Sequence, residues 1–374
     1  MTAKKTGAIL ALNAGSSSVK FSLFVRGNDL PLVAHGAVTG IGGAPEFCAG
    51  DKGGAPATEK LAQSATQEDG LRAIIDWVHG HESGWQIAAV AHRIVHGGTE
   101  FTGPVRIDAD VLQRLKKLIS LAPLHQPHNL AAVEIAEHFL PNVPQIACFD
   151  TAFHVKHDPL FSSFALPQDL RDKGVRRYGF HGLSYEWIAE TLRRAHPDLA
   201  KDRVVVAHLG NGASLCAMQN GRSIDTTMGM TALDGLPMGT RCGALDAGAV
   251  IYMIRDLGLA ADELEHVLYE KSGLKGLSGL SNDVKTLLES PDPKAKFALD
   301  YFVLKTAQYM AMMVVSMGGT DGIVFTGGIG ENAGPVREAV VKRLAVLGQP
   351  PILVIPANEE RMMAMQSSTV LDQA

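Results

Sequence analysis

Gly7-Ala-Ile-Leu-Ala-Leu-Asn-Ala-Gly-Ser-Ser-Ser-Val-Lys-Phe-Ser-Leu-Phe24 reads as an apolar strand, a tight turn of small hydroxyl residues, and a second strand over Val19 to Val25. The turn, Asn13 to Ser18, brings backbone N–H groups and the hydroxyls of Ser16, Ser17 and Ser18 to one point. Such a turn suits phosphate, whose oxygens accept many hydrogen bonds, and Gly15 allows close backbone approach. Lys20 adds a positive charge two residues later. The design recurs in Arg203-Val-Val-Val-Ala-His-Leu-Gly-Asn-Gly-Ala-Ser214, followed by a strand over Leu215 to Met218 and a hairpin signal at Asn220-Gly221. A third glycine-rich turn, Gly327 to Asn332, follows the strand Gly322 to Thr326. Two strand-turn-strand copies and a late glycine turn predict an α/β protein with a duplicated domain and a nucleotide between the halves.

At 374 residues and 46% apolar, the chain can build two domains with separate cores. A formal charge of −5 argues against general nucleic-acid binding, which needs a basic face, so any anion site is local. Met1 to Thr6 carry no signal-peptide pattern and lead into a strand. No apolar run approaches the ~20 residues of a membrane span. The richest, Tyr309 to Met317, reads as a buried helix whose methionines Met310, Met312, Met313 and Met317 pack in the core. Together these predict a cytoplasmic protein. Cys48, Cys148, Cys216 and Cys242 have no C-x-x-C or zinc spacing and read as free thiols. Arg241 beside Cys242 is an activating neighbour, but a small residue fitted to a turn is the favoured reading of Cys242.

Residues 36 to 57 are rich in Gly, Ala and Pro and read as loops or edge hairpins. Helical spacing marks 66 to 80, a segment opened by Asp108, and 128 to 139. Buried strands are expected in Trp85 to Val95 and Val143 to Phe149. Later helices fall near 184 to 196, 246 to 257, 261 to 270 and 294 to 317, and a last one from Asn358 to about Met365.

Arg93 stands at a strand end before Gly97-Gly98, and Arg241 lies between Gly239 and Gly243. Arginines among glycines gain nothing from helical packing and suit a carboxylate or a moving phosphoryl group; a salt bridge to a neighbouring carboxylate is the competing reading. His125 and His181 sit in Pro- and Gly-bounded turns, where imidazoles can donate to phosphoryl oxygens. His92, His96, His154 and His208 read as packing or hydrogen-bonding groups rather than catalysts. Asp150 and Glu359 are the candidate Mg²⁺ carboxylates, since magnesium takes one or two carboxylates plus substrate phosphates. Helix capping is the alternative account of Glu359.

In order along the chain, Asn13-Ala-Gly-Ser-Ser-Ser-Val-Lys20, His92-Arg-Ile-Val-His-Gly-Gly98, Ala122-Pro-Leu-His125, Phe149-Asp-Thr-Ala-Phe-His154, Tyr178-Gly-Phe-His-Gly182, His208-Leu-Gly-Asn-Gly-Ala-Ser214, Asp225-Thr-Thr-Met-Gly229, Gly239-Thr-Arg241, Phe325-Thr-Gly-Gly-Ile-Gly-Glu-Asn332 and Asn358-Glu-Glu360 resemble the acetate kinase family. The resemblance implies two ribonuclease-H-like domains of the actin, sugar-kinase and heat-shock ATPase superfamily. The first spans 1–150, completed by a C-terminal helix at about 356–374, and the second spans 151–355. It also implies a cytoplasmic homodimer and the Mg²⁺-dependent reaction of ATP with acetate to give ADP and acetyl phosphate, with Mn²⁺ as a substitute metal. By the same resemblance Asn13, Ser16 and Ser18, with Lys20, attend phosphate and metal. Asp150 and Glu359 hold the metal. Arg93 and Arg241 hold acetate and the moving phosphoryl, and His125 and His181 stabilise the transition state. His208, Leu209, Gly210, Asn211 and Gly212 form the second phosphate loop. Gly327, Gly328, Ile329, Gly330, Asn332 and Asp283 lie along the nucleotide, with Val284 and Lys285 near adenine. Val95, Leu124, Phe180 and Ala232 form the acyl pocket.

Several positions depart from the family pattern: Ala232 for Pro, Leu183 and Tyr185 for Thr and His, Ala244 for an acidic residue, and Lys285 for Arg. The chain is also short for the family. Ala232 widens the expected acyl pocket, and one methylene in an apolar pocket discriminates only ~10- to 200-fold, which makes propionate or butyrate the alternative substrate. The expected mechanism is in-line transfer with domain closure against water, and it needs no general base because acetate is ionised at pH 7. A non-catalytic ATP-binding regulator would lack the arginines and histidines present here, and a sugar kinase would need polar groups where Val95, Leu124 and Phe180 stand.

Overall fold

The computed structural model describes residues 5–51, 54, 56–82 and 85–373. Met1 to Lys4, on which the reading of the amino end largely falls, lie outside the described residues. The chain forms two compact units: residues up to Ala152 together with those from Asn358 on, and Phe153–Ala357.

In the first unit the strands are β1 (Thr6–Ala14), β2 (Ser18–Val25), β3 (Leu32–Thr39), β4 (Glu46–Asp51), β5 (Ala57–Lys60), β6 (Trp85–Ile94), β7 (Val105–Arg106) and β8 (Gln145–Phe149). They make one sheet in the order β5-β4-β3-β2-β1-β6-β8-β7. The consecutive strands β1 to β5 pair antiparallel, whereas β6 joins β1, and β8 joins β6, in parallel. β1 is apolar at successive positions because it is covered on both sides. Ala8, Leu10, Leu12 and Ala14 join a core with Leu71, Ile74, Ile75 and Val78 of helix Gln67–Gly80 and Ala132 and Ala136 of helix Gln126–Phe139. Ile9 and Ala11 are fully buried and alternate to the other face, where helix Glu359–Asp372 packs. Each large aliphatic side chain so buried contributes roughly 1.5–3 kcal/mol. Helix Gln67–Gly80 starts in a capping box: Thr66 accepts from the Asp69 N–H, and the Asp69 carboxylate accepts from the Thr66 N–H at 2.9 Å.

The second unit holds β9 (Arg203–Leu209), β10 (Ala213–Gln219), β11 (Arg222–Thr226), β12 (Gly322–Thr326) and β13 (Ile352–Val354), in the order β11-β10-β9-β12-β13. β9, β10 and β11 are antiparallel neighbours, and β12 and β13 add in parallel. Helix Gly182–Ala195 covers one face through Tyr185, Ile188 and Leu192. Helix Pro293–Ser316 packs against β9, β10 and β11. The β10–β11 connection is a two-residue turn with Asn220 at φ 51° and Gly221 at φ 66°, the backbone that Asn-Gly favours. The five central strands of the first sheet, β3-β2-β1-β6-β8, and the whole second sheet share one pattern: a three-stranded meander read backwards, then two parallel strands. The duplication expected from the repeated turns is present in the topology.

Three local expectations differ from the structure. Gly327–Asn332 is a short helix rather than a turn, because the Glu331 carboxylate accepts from the Gly327 N–H at 2.9 Å and closes its first turn. Met310 and Met313 are buried, but Met312 is 53% exposed and Met317 half-buried, since they fall off the core-facing side of helix Pro293–Ser316. The last helix runs to Asp372, well past Met365, with Asn358 as its cap. The four cysteines are free, and burial pushes the Cys242 thiol up, the opposite of activation.

Candidate active site

In the first unit the pairing of β1, β6 and β8 brings together four polar residues far apart in sequence. Leu12 pairs with His92, and Arg93 with Cys148, so Asn13, Arg93 and Cys148 take the same face of the sheet at adjacent strand ends. That face carries helix Glu359–Asp372, because the Cys148 Sγ lies 3.8 Å from the Met363 carbonyl. Asp150, two residues beyond Cys148, returns to it. The Arg93 Nε donates to both Asp150 oxygens at 3.1 Å, its Nη2 donates to Oδ2 at 2.7 Å, and its Nη1 lies 3.5 Å from Glu359 Oε2. Burial opposes the charge of Arg93, but Asp150 and Glu359 outweigh it and hold the guanidinium above its ordinary value. Of the two readings of Arg93, the salt bridge to neighbouring carboxylates is the one present in this structure. Asp150 is 1% exposed and Glu359 14%. Among the described residues no three His, Cys, Asp or Glu side chains group to enclose an ion. The donor set of Asn13, Asp150 and Glu359 is hard oxygen, two carboxylates and an amide. It fits an ion that completes its shell with water and substrate phosphate, as Mg²⁺ does.

Beyond β6 the strand ladder gives way to side-chain partners. The Val95 N–H donates to Asn129 Oδ1 at 3.0 Å, and Asn129 Nδ2 donates to the Ala14 carbonyl at 2.7 Å, tying the root of the Asn13–Ser18 turn to the Arg93 segment. Gln126 accepts from the His96 N–H and returns a bond to the His96 carbonyl. Gly97 donates to Thr151 Oγ1 at 3.0 Å, and a Cβ there would lie 2.9 Å from the Phe149 ring. His96 Nδ1 accepts from the Gly98 N–H at 2.9 Å, and burial lowers its pKa to about 4, so it stays neutral. Burial likewise lowers His92 and His154 to about 4, and each is hydrogen-bonded: His92 to Gln145 at 2.7 Å, His154 to Ser223 at 2.8 Å. Asn129 and Gln126 were not identified from sequence. Both lie on helix Gln126–Phe139, whose cap is His125, and a polar residue on the buried face of a helix is the signal that marks them.

In the second unit the turn between β9 and β10, Gly210-Asn211-Gly212, closes with the Gly210 N–H on the Gly212 carbonyl at 3.0 Å. It borders a cavity of about 420 Å³ lined by Gly210, Asn211, Asp283, Val284, Lys285, Leu288, Gly328, Ile329, Asn332 and Ala333. The volume is within the range of small-molecule and nucleotide sites. Leu288 and Ala333 are the two lining residues that the sequence reading left out. Asp283 caps the short helix Val284–Glu289 by accepting from Thr286, first through the backbone N–H and also through the hydroxyl; these bonds hold its carboxyl below the usual range. Gly327, at φ 78°, packs so that a Cβ would sit 2.8 Å from the Leu209 carbonyl.

His181 and Arg241 reach the same turn. A Cβ at Gly212 would lie 3.3 Å from His181 Nε2 and 3.8 Å from Arg241 Nη1. His181 takes the left-handed region at φ 58°, before helix Gly182–Ala195, and its ring stacks on His208 at 4.4 Å. His208 in turn meets Ser184 Oγ at 2.8 Å. Arg241 Nη1 donates to the Ala232 carbonyl at 3.1 Å, and the guanidinium sits 5.9 Å from the Tyr269 ring. Asn211 is confined by Asn282 Nδ2, which donates to its Oδ1 at 3.0 Å, and by Gly239, where a Cβ would stand 1.9 Å from that oxygen.

The remaining candidates differ in exposure. Ser16 and Lys20 are exposed, and Ser18, Asn13 and His125 are half-buried. Leu209 is fully buried in β9, so only its backbone borders the turn. Of the residues expected at an acyl pocket, Val95 and Leu124 belong to the first unit, 8% and 40% exposed; Phe180 and Ala232 belong to the second, the former buried and the latter half-buried.

Two sheets of one topology, one bearing a guanidinium–carboxylate cluster at its strand ends and the other a nucleotide-sized cavity on a glycine turn, define a duplicated α/β protein of the actin-like ATPase class. A sequence profile of the acetokinase family matches residues 8–366, and the chain belongs to that family. It is 43% identical to the acetate kinase of Nitrobacter hamburgensis, an alignment covering 97% of this chain and 96% of that protein. Among solved structures, a propionate kinase from Francisella tularensis superposes with a TM-score of 0.91 at 34% identity, covering 96% of this chain and 98% of that one. Porphyromonas gingivalis acetate kinase superposes with a TM-score of 0.87 at 31% identity, covering 98% and 100%.

Proposed function

We propose that this chain is an acetate kinase, reversibly transferring the γ-phosphoryl of ATP to acetate to give acetyl phosphate and ADP. The observation that carries the reading is the convergence of His181 Nε2 and Arg241 Nη1 on Gly212, at the edge of the cavity that Asp283, Val284 and Lys285 also line. One imidazole and one guanidinium beside a glycine turn at a cavity edge support a phosphate-binding end for a nucleotide there. In-line transfer asks for little covalent chemistry and much placement of positive charge and N–H donors, and these residues supply both.

In the second unit, Gly210 to Gly212 and Gly328 to Gly330 receive the phosphates, Val284 and Lys285 border the base, and Arg241 and His181 donate to the equatorial oxygens of the moving phosphoryl. In the first unit, Ser16, Ser18 and Lys20 attend phosphate, Arg93 orients the acetate carboxylate, and His125 donates alongside. Asn13, Asp150 and Glu359 hold Mg²⁺, or Mn²⁺ in its place. When bound there, such an ion would supply neutralisation of phosphate charge. Acetate attacks as the anion it already is at pH 7, so no residue acts as its base.

Ala232 supports propionate as a second substrate. Its carbonyl accepts from Arg241 Nη1 at 3.1 Å, and an alanine methyl is smaller than the proline ring that the family pattern carries at this position. The test is acid-dependent ADP formation from Mg-ATP with formate, acetate, propionate and butyrate, compared by kcat/KM. We expect the maximum at acetate, with propionate within about 200-fold. A maximum at propionate or butyrate would make this a longer-chain acyl kinase, and no turnover with any of them would reject the reading.

A homodimer in the cytoplasm completes the proposal. Helix Ala247–Arg255 is apolar yet has no buried residue, with Ile251, Tyr252 and Ile254 about half exposed, a surface suited to a second copy. Among the described residues no helix is long and apolar enough to cross a membrane. A sedimentation mass of one chain at micromolar concentration would refute the dimer.

A further inference from the structure

Resting on the phosphoryl-transfer reading above, we propose that Tyr185 is a positioning residue that acts through Ser214 to hold His181 as the neutral tautomer carrying its proton on Nε2. Tyr185 lies on the first turn of helix Gly182–Ala195, four residues after His181, and is fully buried. Its ring meets His154 edge-on at 5.6 Å, so its direction is set by packing. Its hydroxyl bonds the Ser214 Oγ, and the same oxygen lies 2.8 Å from His181 Nδ1. Ser214 is itself fully buried in β10, two residues after the Gly212 of the phosphate turn.

The order of donors follows from acidity. A phenol, with a pKa of about 10, is the stronger donor and the poorer acceptor of the two hydroxyls. Tyr185 therefore donates to Ser214, and Ser214 donates to the lone pair of Nδ1; each bond in such a chain polarises the next. An imidazole that accepts at Nδ1 and is neutral carries its hydrogen on Nε2. That nitrogen is the one turned toward Gly212 and the Arg241 side of the turn. Stacking on His208 at 26° keeps the ring from rotating away. The donor that faces a developing phosphoryl charge is thus selected from behind, by a phenol that touches no substrate. Tyr185 is also one of the positions where the chain departs from the pattern it resembles.

Tyr185→Phe keeps the ring and its packing and removes only the hydroxyl. Ser214, no longer obliged to accept from the phenol, becomes free to accept from an Nδ1–H. The direct readout is the pair of ring nitrogens of His181 in histidine-labelled protein, assigned by its absence in His181→Gln. In the parent Nδ1 should give the signal of an unprotonated nitrogen and Nε2 that of a protonated one; in Tyr185→Phe the two should average or exchange. Activity should follow with kcat reduced about tenfold, less than the ~10²–10³ lost with a direct oxyanion donor, and with KM for acetate and ATP unchanged. Ser214→Ala should reproduce the effect, and the double variant should be no worse than Ser214→Ala alone. Unaltered ring signals in Tyr185→Phe, or a protonated Nδ1 in the parent, would overturn the proposal. A parent enzyme with no acetate-dependent turnover would instead refute the functional reading, and the nitrogen signals would still decide the relay.

Discussion

Arg241→Ala is expected to lower kcat for acetate-dependent ADP formation by about 10³-fold or more, the scale at which an arginine acts on a transferring phosphoryl group. Its position is pre-set. The Ala232 carbonyl holds Nη1 at 3.1 Å, and the backbone around it is pinned by the Met238 N–H on the Arg241 carbonyl and the Cys242 N–H on the Leu268 carbonyl, both at 3.0 Å. Those bonds involve no Arg241 side-chain atom, so the loop survives truncation, and the thermal midpoint should move little. Arg241→Lys should recover only a small part of the rate, because one ammonium cannot both meet the Ala232 carbonyl and present a planar fork to the phosphoryl oxygens. Steady-state kinetics beside a thermal melt checks both statements. A kcat within tenfold of the parent would remove Arg241 from the machinery.

Asp150→Asn and Asp150→Ala should separate charge from shape in the first unit. The Asp150 carboxylate is 1% exposed and takes three contacts from Arg93, which is itself 22% exposed and keeps the longer 3.5 Å approach to Glu359 when Asp150 is lost. Removing one partner of a fully buried pair costs about 3–5 kcal/mol; the partial exposure of Arg93 reduces this to roughly 1–3 kcal/mol for Asp150→Ala. Asp150→Asn keeps the volume and one acceptor oxygen and should lose less stability. Both variants should lose activity by ~10²-fold or more and require a Mg²⁺ concentration at least about tenfold higher for half-maximal rate, since each removes one of the two carboxylate charges of the proposed ion site. The check is a Mg²⁺ titration of the rate together with a melt of the metal-free protein. A Mg²⁺ requirement unchanged in Asp150→Asn would assign Asp150 to holding Arg93 alone.

What could be read along the chain is what short-range chemistry settles. Strand-turn-strand stretches around Gly15 and around Gly210 to Gly212 declare themselves because apolar runs broken by small residues have few other conformations, and Asn220-Gly221 sets its own hairpin. Apolar residues at helical spacing, such as Leu71, Ile74, Ile75 and Val78, mark a face before anything is known of what covers it. The repeated turn pattern likewise announced a duplicated fold, and the shared strand order bears it out. Tertiary structure alone decided the rest. Asn13, Arg93 and Asp150 reach the face that carries helix Glu359–Asp372 because β1, β6 and β8 pair in parallel and, beyond the register shift at Ala8/Ile9, keep a register in which a slip of one residue would turn a strand's side chains to the opposite face. Gly327–Asn332 closed into a helix because Glu331 folds back onto its first N–H, and Met312 stayed exposed because it lies off the core-facing side of its helix. Asn129 and Ser214 are ordinary polar residues until the segments they bridge are adjacent, Ala14 to Val95 and Tyr185 to His181. Periodicity and turn chemistry act over a few bonds of chain, whereas a hydrogen bond between distant residues exists only after burial has chosen which strand ends meet.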